Sequence, residues 1–348
     1  MSDRNTKLQQ IFIKKQADVN TFAFEAADPA DSTDLLLAYD IGLPAPGGEE
    51  LTRNGQSATH TPMPGRPGSR TLPATFSTDL IVHAACAGLD TLFKTTTGTP
   101  MQSLLEACDL TVTPTGPSPA ITKIVLTPNT NSSRLISMFH SLDGLSYQGL
   151  DAKAGFKLIL TAGQIAKFVW SPNGKWDDVD SDFSAVPIVS TFQDAYVVQS
   201  VNTITLTIDP DGTPAAKTID VINMELDWSP VIVIRQGQKG TFGQKDPITV
   251  SREPTITIDP EMGVDATDTA IIDAWEAKTP VKFEWKSGSA APYFSITAYG
   301  EIVKPGVKDA SGEARHDIVI RLCKETTAAV SGDSELEITW ESVAPDPE

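Results

Sequence analysis

The sequence predicts a mainly β protein, an antiparallel sandwich or barrel, and three observations carry that expectation. Short segments rich in β-branched and aromatic residues recur along the chain. Several alternate apolar and polar positions, as strands with one solvated face do. Turn signals such as Pro172-Asn-Gly174 and Pro210-Asp-Gly212 separate them. Helical periodicity is confined to two stretches.

In chain order, the first half offers strands at Thr75–His83, Ile121–Leu126, Phe156–Thr161, Ile165–Trp170 and Val201–Ile208. The second offers Val231–Ile234, Thr255–Ile258, Val281–Trp285, Phe294–Tyr299, Asp317–Leu322 and Glu335–Trp340. One short helix is predicted near Met101–Cys108, where Leu104, Leu105 and Cys108 stand at helical spacing. The other is Thr267–Lys278, opened by a Thr-Asp-Thr capping signal, with Ile271, Ile272 and Trp275 on one face. Many strands with a lone helix per half read as a sandwich or barrel with helical flanks.

The two halves echo each other. Asp40-Ile-Gly-Leu43 recurs as Asp220-Val-Ile-Asn223, Arg53-Asn-Gly-Gln56 as Arg235-Gln-Gly-Gln238, and Thr75-Phe-Ser-Thr-Asp79 as Thr255-Ile-Thr-Ile-Asp259. The three pairs keep their order at offsets of 180 to 182 positions, and each set is followed by a helix and two strands flanking a glycine. The expected organisation is an N-terminal arm over 1–39, a first domain over 40–215 and a second over 216–348. The first domain carries a projecting loop at 51–73 and an insertion at about 111–150. Each domain has one main flanking helix.

Composition narrows the function. The 348 residues are 40% hydrophobic, enough for a substantial core, so disorder of the whole chain is not expected. No run of about 18 apolar residues predicts a membrane-spanning helix. The polar Met1–Lys7 start does not read as a secretory signal. A net charge of −18 repels nucleic acid, so DNA or RNA is not expected as a held ligand. Cys86, Cys108 and Cys323 are odd in number and widely spaced, with no CxxC pair, so buried free thiols in a reducing compartment are expected.

Catalytic and metal signatures are lacking. His60, His83, His140 and His316 fall in no HExxH or paired spacing, and no GxSxG or phosphate-loop motif occurs. A Ser/His/Asp arrangement brought together only by folding stays open. Asp178-Val-Asp-Ser-Asp182 resembles the start of a calcium loop. Phe183 and Val189 stand where such a loop needs a glycine and a bidentate acid, so a solvated acidic loop is expected. No cofactor and no metal are expected, and no enzymatic activity. Trp176, Trp228, Trp275, Trp285 and Trp340 read as packing residues of core or interface.

Two segments stand out within so acidic a chain. Residues 51–78 contain no Asp or Glu but carry Arg53, Arg66 and Arg70, with the Pro-Gly-rich run Pro62–Gly68. Residues 229–245 contain none either and carry Arg235, Lys239 and Lys245. Each is expected to project as a loop or hairpin. One reading is a plain surface loop. The other is that the six cations dock on acidic surfaces of neighbouring subunits, where charge complementarity sets register.

Several stretches resemble a known family, the tail tube proteins of long-tailed bacteriophages. They are Ser69–Leu80, Pro100–Asp109, Leu142–Phe156, Leu160–Trp170 and Ser331–Trp340, spanning about residues 40 to 341. The Pro-Gly segment at 61–73 and the Asp-rich loop at 177–182 are not part of the likeness. The resemblance implies packed antiparallel sheets with a flanking helix, rings whose inner sheets join into a β-barrel, and stacking into a hollow tube. It implies a virion protein of the phage tail, assembled in the host cytoplasm. Its implied partners are itself, a tape-measure protein, and tail terminator and distal tail proteins, with genome DNA passing through the lumen without specific binding. With the domain carried twice, three chains would complete a pseudo-sixfold ring. A hexamer with one tube domain per chain is the alternative. A β-sandwich binding or adhesin module is the competing class.

Overall fold

The computed structural model describes residues 9–18, 21–24, 34–44, 46–51, 66–82, 89, 92–93, 99–116, 121–129, 134–142, 145–180, 195–199, 203–210, 212–238, 244–262, 266–310, 312–323 and 335–343. Along the first part run β1 (Gln9–Lys15), β2 (Leu35–Leu36), β3 (Gly47–Leu51), β4 (Arg66–Pro73), β5 (Phe76–Asp79), helix α1 (Pro100–Ala107), β6 (Leu110–Thr115) and β7 (Lys123–Pro128). Then come β8 (Ile136–Leu142), β9 (Leu145–Lys153), β10 (Phe156–Thr161), β11 (Lys167–Trp170), β12 (Asn173–Asp180), β13 (Thr203–Ile208) and β14 (Ala215–Thr218). The remainder is β15 (Val221–Trp228), β16 (Val231–Gln236), β17 (Gln244–Ser251), β18 (Thr255–Pro260), helix α2 (Ala266–Ala277), β19 (Pro280–Lys286), β20 (Tyr293–Ala310), β21 (Glu313–Leu322) and β22 (Leu336–Glu341). The fold is mainly β and antiparallel, with α1 and α2 its two helices among the described residues.

Both helices form for local reasons. Thr99 caps α1, its hydroxyl accepting from Gln102 N at 3.2 Å, and Pro100 occupies the first turn, where its missing N–H is no loss. The apolar stripe Met101, Leu104, Leu105 and Ala107 is buried, and Asp109 in the left-handed region (φ 60°) turns the chain into β6. In α2 the buried residues are Ile271 and Ala274, Trp275 is half-buried and Ile272 is exposed. The face expected from Ile271, Ile272 and Trp275 is therefore rotated. Lys278 ends this helix in the left-handed region at φ 56°.

The larger sheet has 13 strands. Its main path runs β14-β13-β19-β20-β21-β18-β15-β10-β11-β5, with a branch from β20 through β22 and β7 to β6. The branch point is the 18-residue β20. Tyr293–Ala298 pair with β22, and Gly300–Ala310 pair with β21 along the same edge. Within the second stretch the register shifts at Ile302/Lys304, an irregularity of the kind that lets a strand bend. The two branches then face each other. Phe168 on β11 stacks on Trp340 of β22 with ring centroids 6.4 Å apart, and Phe294, the register partner of Trp340 on β20, packs beside it at 4.7 Å. Two of the buried indoles find acceptors here, Trp170 donating to Thr78 Oγ1 at 2.9 Å and Trp340 to the Ile81 carbonyl at 3.2 Å. The result is a sandwich. The path ends at β14 and β5, so the described strands close no barrel.

The second sheet has seven strands in the order β2-β1-β8-β9-β12-β4-β3. Residues expected as an N-terminal arm supply an interior strand here. Ile11 and Ile13 of β1 enter the main core, while Phe12 points to a small cluster with Phe24 and Phe139. Gln16, just beyond β1, is tied to Asp151 on β9 by a 2.6 Å bond from its amide and by one from Asp151 N to its carbonyl oxygen at 3.1 Å. Asp151 in turn holds Lys175 of β12 at 2.5 Å, with both side chains fully buried.

The echoed segments take part in one interwoven structure. The expected boundary at 215/216 falls inside β14, and strands from either side of it pair directly, β10 with β15 and β7 with β22. The hairpins β10–β11 and β19–β20 correspond, but β5 lies beside β11 whereas β21 separates β18 from β20. The stretch expected as an insertion at about 111–150 supplies β7 to the larger sheet and β8 to the smaller.

Candidate assembly interface

One element of the fold belongs to neither large sheet. Among the described residues, strands β16 and β17 pair with each other alone, from Val231↔Ser251 to Gln236↔Gln244, as a two-stranded ribbon. A lone ribbon is marginal in water, so its anchors decide where it stands. At its root, Trp228 donates its indole N–H to the Cys108 carbonyl at 2.8 Å. Arg252, just past β17, lays its guanidinium 5.2 Å from the Trp228 ring and binds Glu335 at 2.6 Å. Gly155 sits under the root, where a Cβ would come within 3.1 Å of Ser229 Cα and Pro230 Cδ.

A further anchor holds the ribbon's inner face. Lys153 Nζ lies 2.6 Å from Asp109 Oδ1 and 3.3 Å from Thr249 Oγ1, and the Thr249 hydroxyl donates to Asp109 Oδ2. Lys153 and Asp109 are buried, so each charge is compensated by the other and by this hydroxyl. The adjoining Cys108 thiol is pushed well up by burial and then by the Asp109 charge, which keeps it protonated and unreactive. Pro247 is buried and Ile232 and Ile234 are half-buried beside Thr249 on the same side. The ribbon packs next to β9 and β12.

Among the described residues nothing covers the outer face. Val231 is 52% exposed, Val233 42%, Ile248 38% and Val250 61%. Charge on the ribbon is basic at its far end. Arg235 donates its Nε to the Asp246 carbonyl at 3.1 Å and lies 3.8 Å from the Asp246 carboxylate, and Lys245 is exposed. An apolar face with Arg235, Lys245 and Asp246 at one end, on a ribbon whose edges are unpaired among the described residues, is the composition of a contact surface rather than of a catalytic pocket.

Four of the six sequence-predicted cations lie within the described residues, two on each of two hairpins. Arg235 and Lys245 stand on the β16–β17 ribbon, and Lys239 lies outside the described residues between them. Arg66 and Arg70 lie on β4, which pairs with β3 at the edge of the seven-stranded sheet, so this part of the 51–73 segment is a strand. Arg70 is half-buried with its guanidinium 5.4 Å from the Trp176 ring. Arg53 lies outside the described residues. The Asp178–Asp180 part of the acidic loop belongs to β12, and residues 181–194, with Phe183 and Val189, lie outside. Trp228, Trp285 and Trp340 are buried and Trp176 and Trp275 half-buried. Sequence reasoning missed the ribbon's outer face. The signal was present in Val231–Ile234, four consecutive β-branched residues, which a two-stranded ribbon cannot bury on both sides.

Among the described residues no helix is long and apolar enough to cross a membrane. No protein-family model matches the sequence, and no curated protein is significantly similar to it.

Proposed function

We propose that this chain is the building block of a long-tailed phage's tail tube, a structural protein that self-assembles into stacked rings. The observation that carries the reading is the β16–β17 ribbon, anchored by a buried ion pair at its inner face while its apolar outer face is uncovered. Exposed aliphatic surface on a fixed scaffold is satisfied when another chain covers it. The antiparallel sandwich with flanking helices is the architecture that the family resemblance over residues 40–341 implies. The charge of −18 suits a conduit along which DNA slides by repulsion. Pseudo-repeated strands support a ring of three chains with pseudo-sixfold symmetry. In this reading the tape-measure protein fills the lumen during assembly, and terminator and distal tail proteins cap the ends.

Electron microscopy of the purified chain tests the proposal. Rings or tubes are the expected result, with three chains per ring when images are averaged without imposed symmetry. Monodisperse monomers at all concentrations would overturn it in favour of a binding module.

A further inference from the structure

We infer that the outer face of the β16–β17 ribbon docks on a second copy of this chain, against the Leu37–Leu43 segment that borders β5. This rests on the self-assembly reading and adds to it the surface that receives the ribbon.

The receiving segment lies along the far edge of the larger sheet. Tyr39 exchanges backbone hydrogen bonds with Ser77 of β5 at 2.9 and 2.8 Å, and Gly42 N donates to Thr75 O at 2.8 Å. The segment thus adds a strand-like rim to an edge that would otherwise be bare. Leu37 and Tyr39 are each 37% exposed and Leu43 is 60% exposed. Among the described residues this rim, like the ribbon, concentrates exposed large apolar side chains.

Charge favours pairing the two unlike patches over pairing either with itself. The described ribbon strands carry Arg235, Lys245 and the Asp246 that lies 3.8 Å from Arg235, a net single positive charge, and two ribbons face to face would bring like net charge together. The rim carries Asp40, exposed, and Asp79, which accepts the Tyr39 hydroxyl, so that burial and then this bond hold the phenol protonated. Lys167, opposite Asp79 on β11, offsets part of the rim's charge, but the chain as a whole is at −18. A basic apolar ribbon and an acidic apolar rim are complementary.

Geometry keeps the two patches apart within one chain. The ribbon springs from Trp228, which lies in register with Phe156, Trp170 and Phe76 across the larger sheet. The rim is the next strand beyond Phe76. Four strand spacings of ~4.8 Å separate ribbon root and rim by about 19 Å, and both patches stay exposed in the single chain. A contact between two different patches is heterologous, so each chain keeps one of each free for the next, which generates a closed ring or an open stack.

The test uses the full chain with Val233 replaced by the photo-crosslinking residue p-benzoylphenylalanine. Sedimentation reports assembly, and mass spectrometry after irradiation maps the crosslink. The expected result is assembly, with an intermolecular crosslink in residues 37–43. Leu37→Asp with Leu43→Asp is expected to reduce that crosslink at least tenfold while the far-ultraviolet circular dichroism stays that of a folded β protein. Arg235→Glu with Lys245→Glu is expected to raise the concentration needed for assembly at least tenfold. Assembly with the crosslink elsewhere, or within one chain, overturns the docking and leaves the tube reading standing. Absence of any assembly overturns both.

Discussion

Two hairpins of this protein have similar apolar content and opposite fates. In β10–β11, Phe156, Leu158, Phe168 and Trp170 are buried, and the outward Lys157 bridges Glu225 at 2.8 Å and Asp227 at 2.9 Å on the neighbouring strand. Both edges of that hairpin are paired, by β15 and β5. In β16–β17 neither edge is paired within the described chain, and Val231, Val233, Ile248 and Val250 face outward. The difference teaches that apolar alternation marks a face to be covered without saying by what. For β10–β11 the cover is intramolecular. For β16–β17 the inner face finds Lys153 and Asp109, and the outer face stays exposed among the described residues.

The comparison can be broken from the buried side first. Phe168→Ala is expected to cost about 3–5 kcal/mol, because the surrounding rings cannot collapse into the space. Urea unfolding checks it, and a loss under about 1 kcal/mol would mean that this layer is loosely packed. Lys175→Met is expected to cost a similar ~3–5 kcal/mol by stranding the Asp151 carboxylate. Adding Asp151→Asn is expected to recover much of that loss, since it removes the stranded charge, keeps an acceptor for Gln16 and tolerates the positive φ of 50° at this position. A double variant no better than the single would show that the loss does not come from the uncompensated charge.

Smaller changes sharpen the contrast at the ribbon. Thr249→Val removes a bond to the Asp109–Lys153 pair and is expected to cost about 1–3 kcal/mol. It should also speed proteolysis within residues 231–251. Equal cleavage of both proteins would show that the Trp228–Arg252 root suffices as an anchor. Acid adds a pH-dependent term. Burial lowers the His140 imidazole from 6.5 to about 4. Unfolded chains therefore take up this proton before folded ones, and stability is expected to drop as pH falls from about 6.5 to about 4. His140→Gln should flatten that part of the profile, and an unchanged profile would assign the acid sensitivity to other groups. Smallest for the monomer is Val233→Ser, expected to stay within about 0.5 kcal/mol while weakening assembly. A monomer strongly destabilised by it would place the outer face inside the chain's own core.

Where local sequence and pairing agreed, the fold was legible. Phe156–Thr161, Val281–Trp285 and Glu335–Trp340 read as strands from alternation and are strands, and both helices are present within a residue or two of expectation. What was hidden depends on partners remote in sequence. The run Arg66–Pro73 looks like a loop because Pro67, Gly68 and Pro73 are poor strand formers, yet β3 and β12 flank it and hold it in the sheet. The start of the acidic run Asp177–Asp182 is the end of β12, whose Lys175 is buried because Asp151 awaits it. For the interface, the acid-free composition around Arg235 and Lys245 was readable, whereas the exposure of the valines beside them was not.

By itself the sequence determined the class of the fold, the places of its two helices, and a charge that disfavours nucleic-acid ligands. Those follow from periodicity, capping and composition, which act over a few residues or over the whole chain without regard to arrangement. Only the tertiary structure decided that the halves interweave through one larger sheet, that β20 pairs with both β21 and β22 along one edge, and which face of β16–β17 is exposed. Those depend on contacts across a hundred or more positions, such as Asp109 with Thr249 at a separation of 140. Such contacts leave no mark in either segment until the chain brings both together.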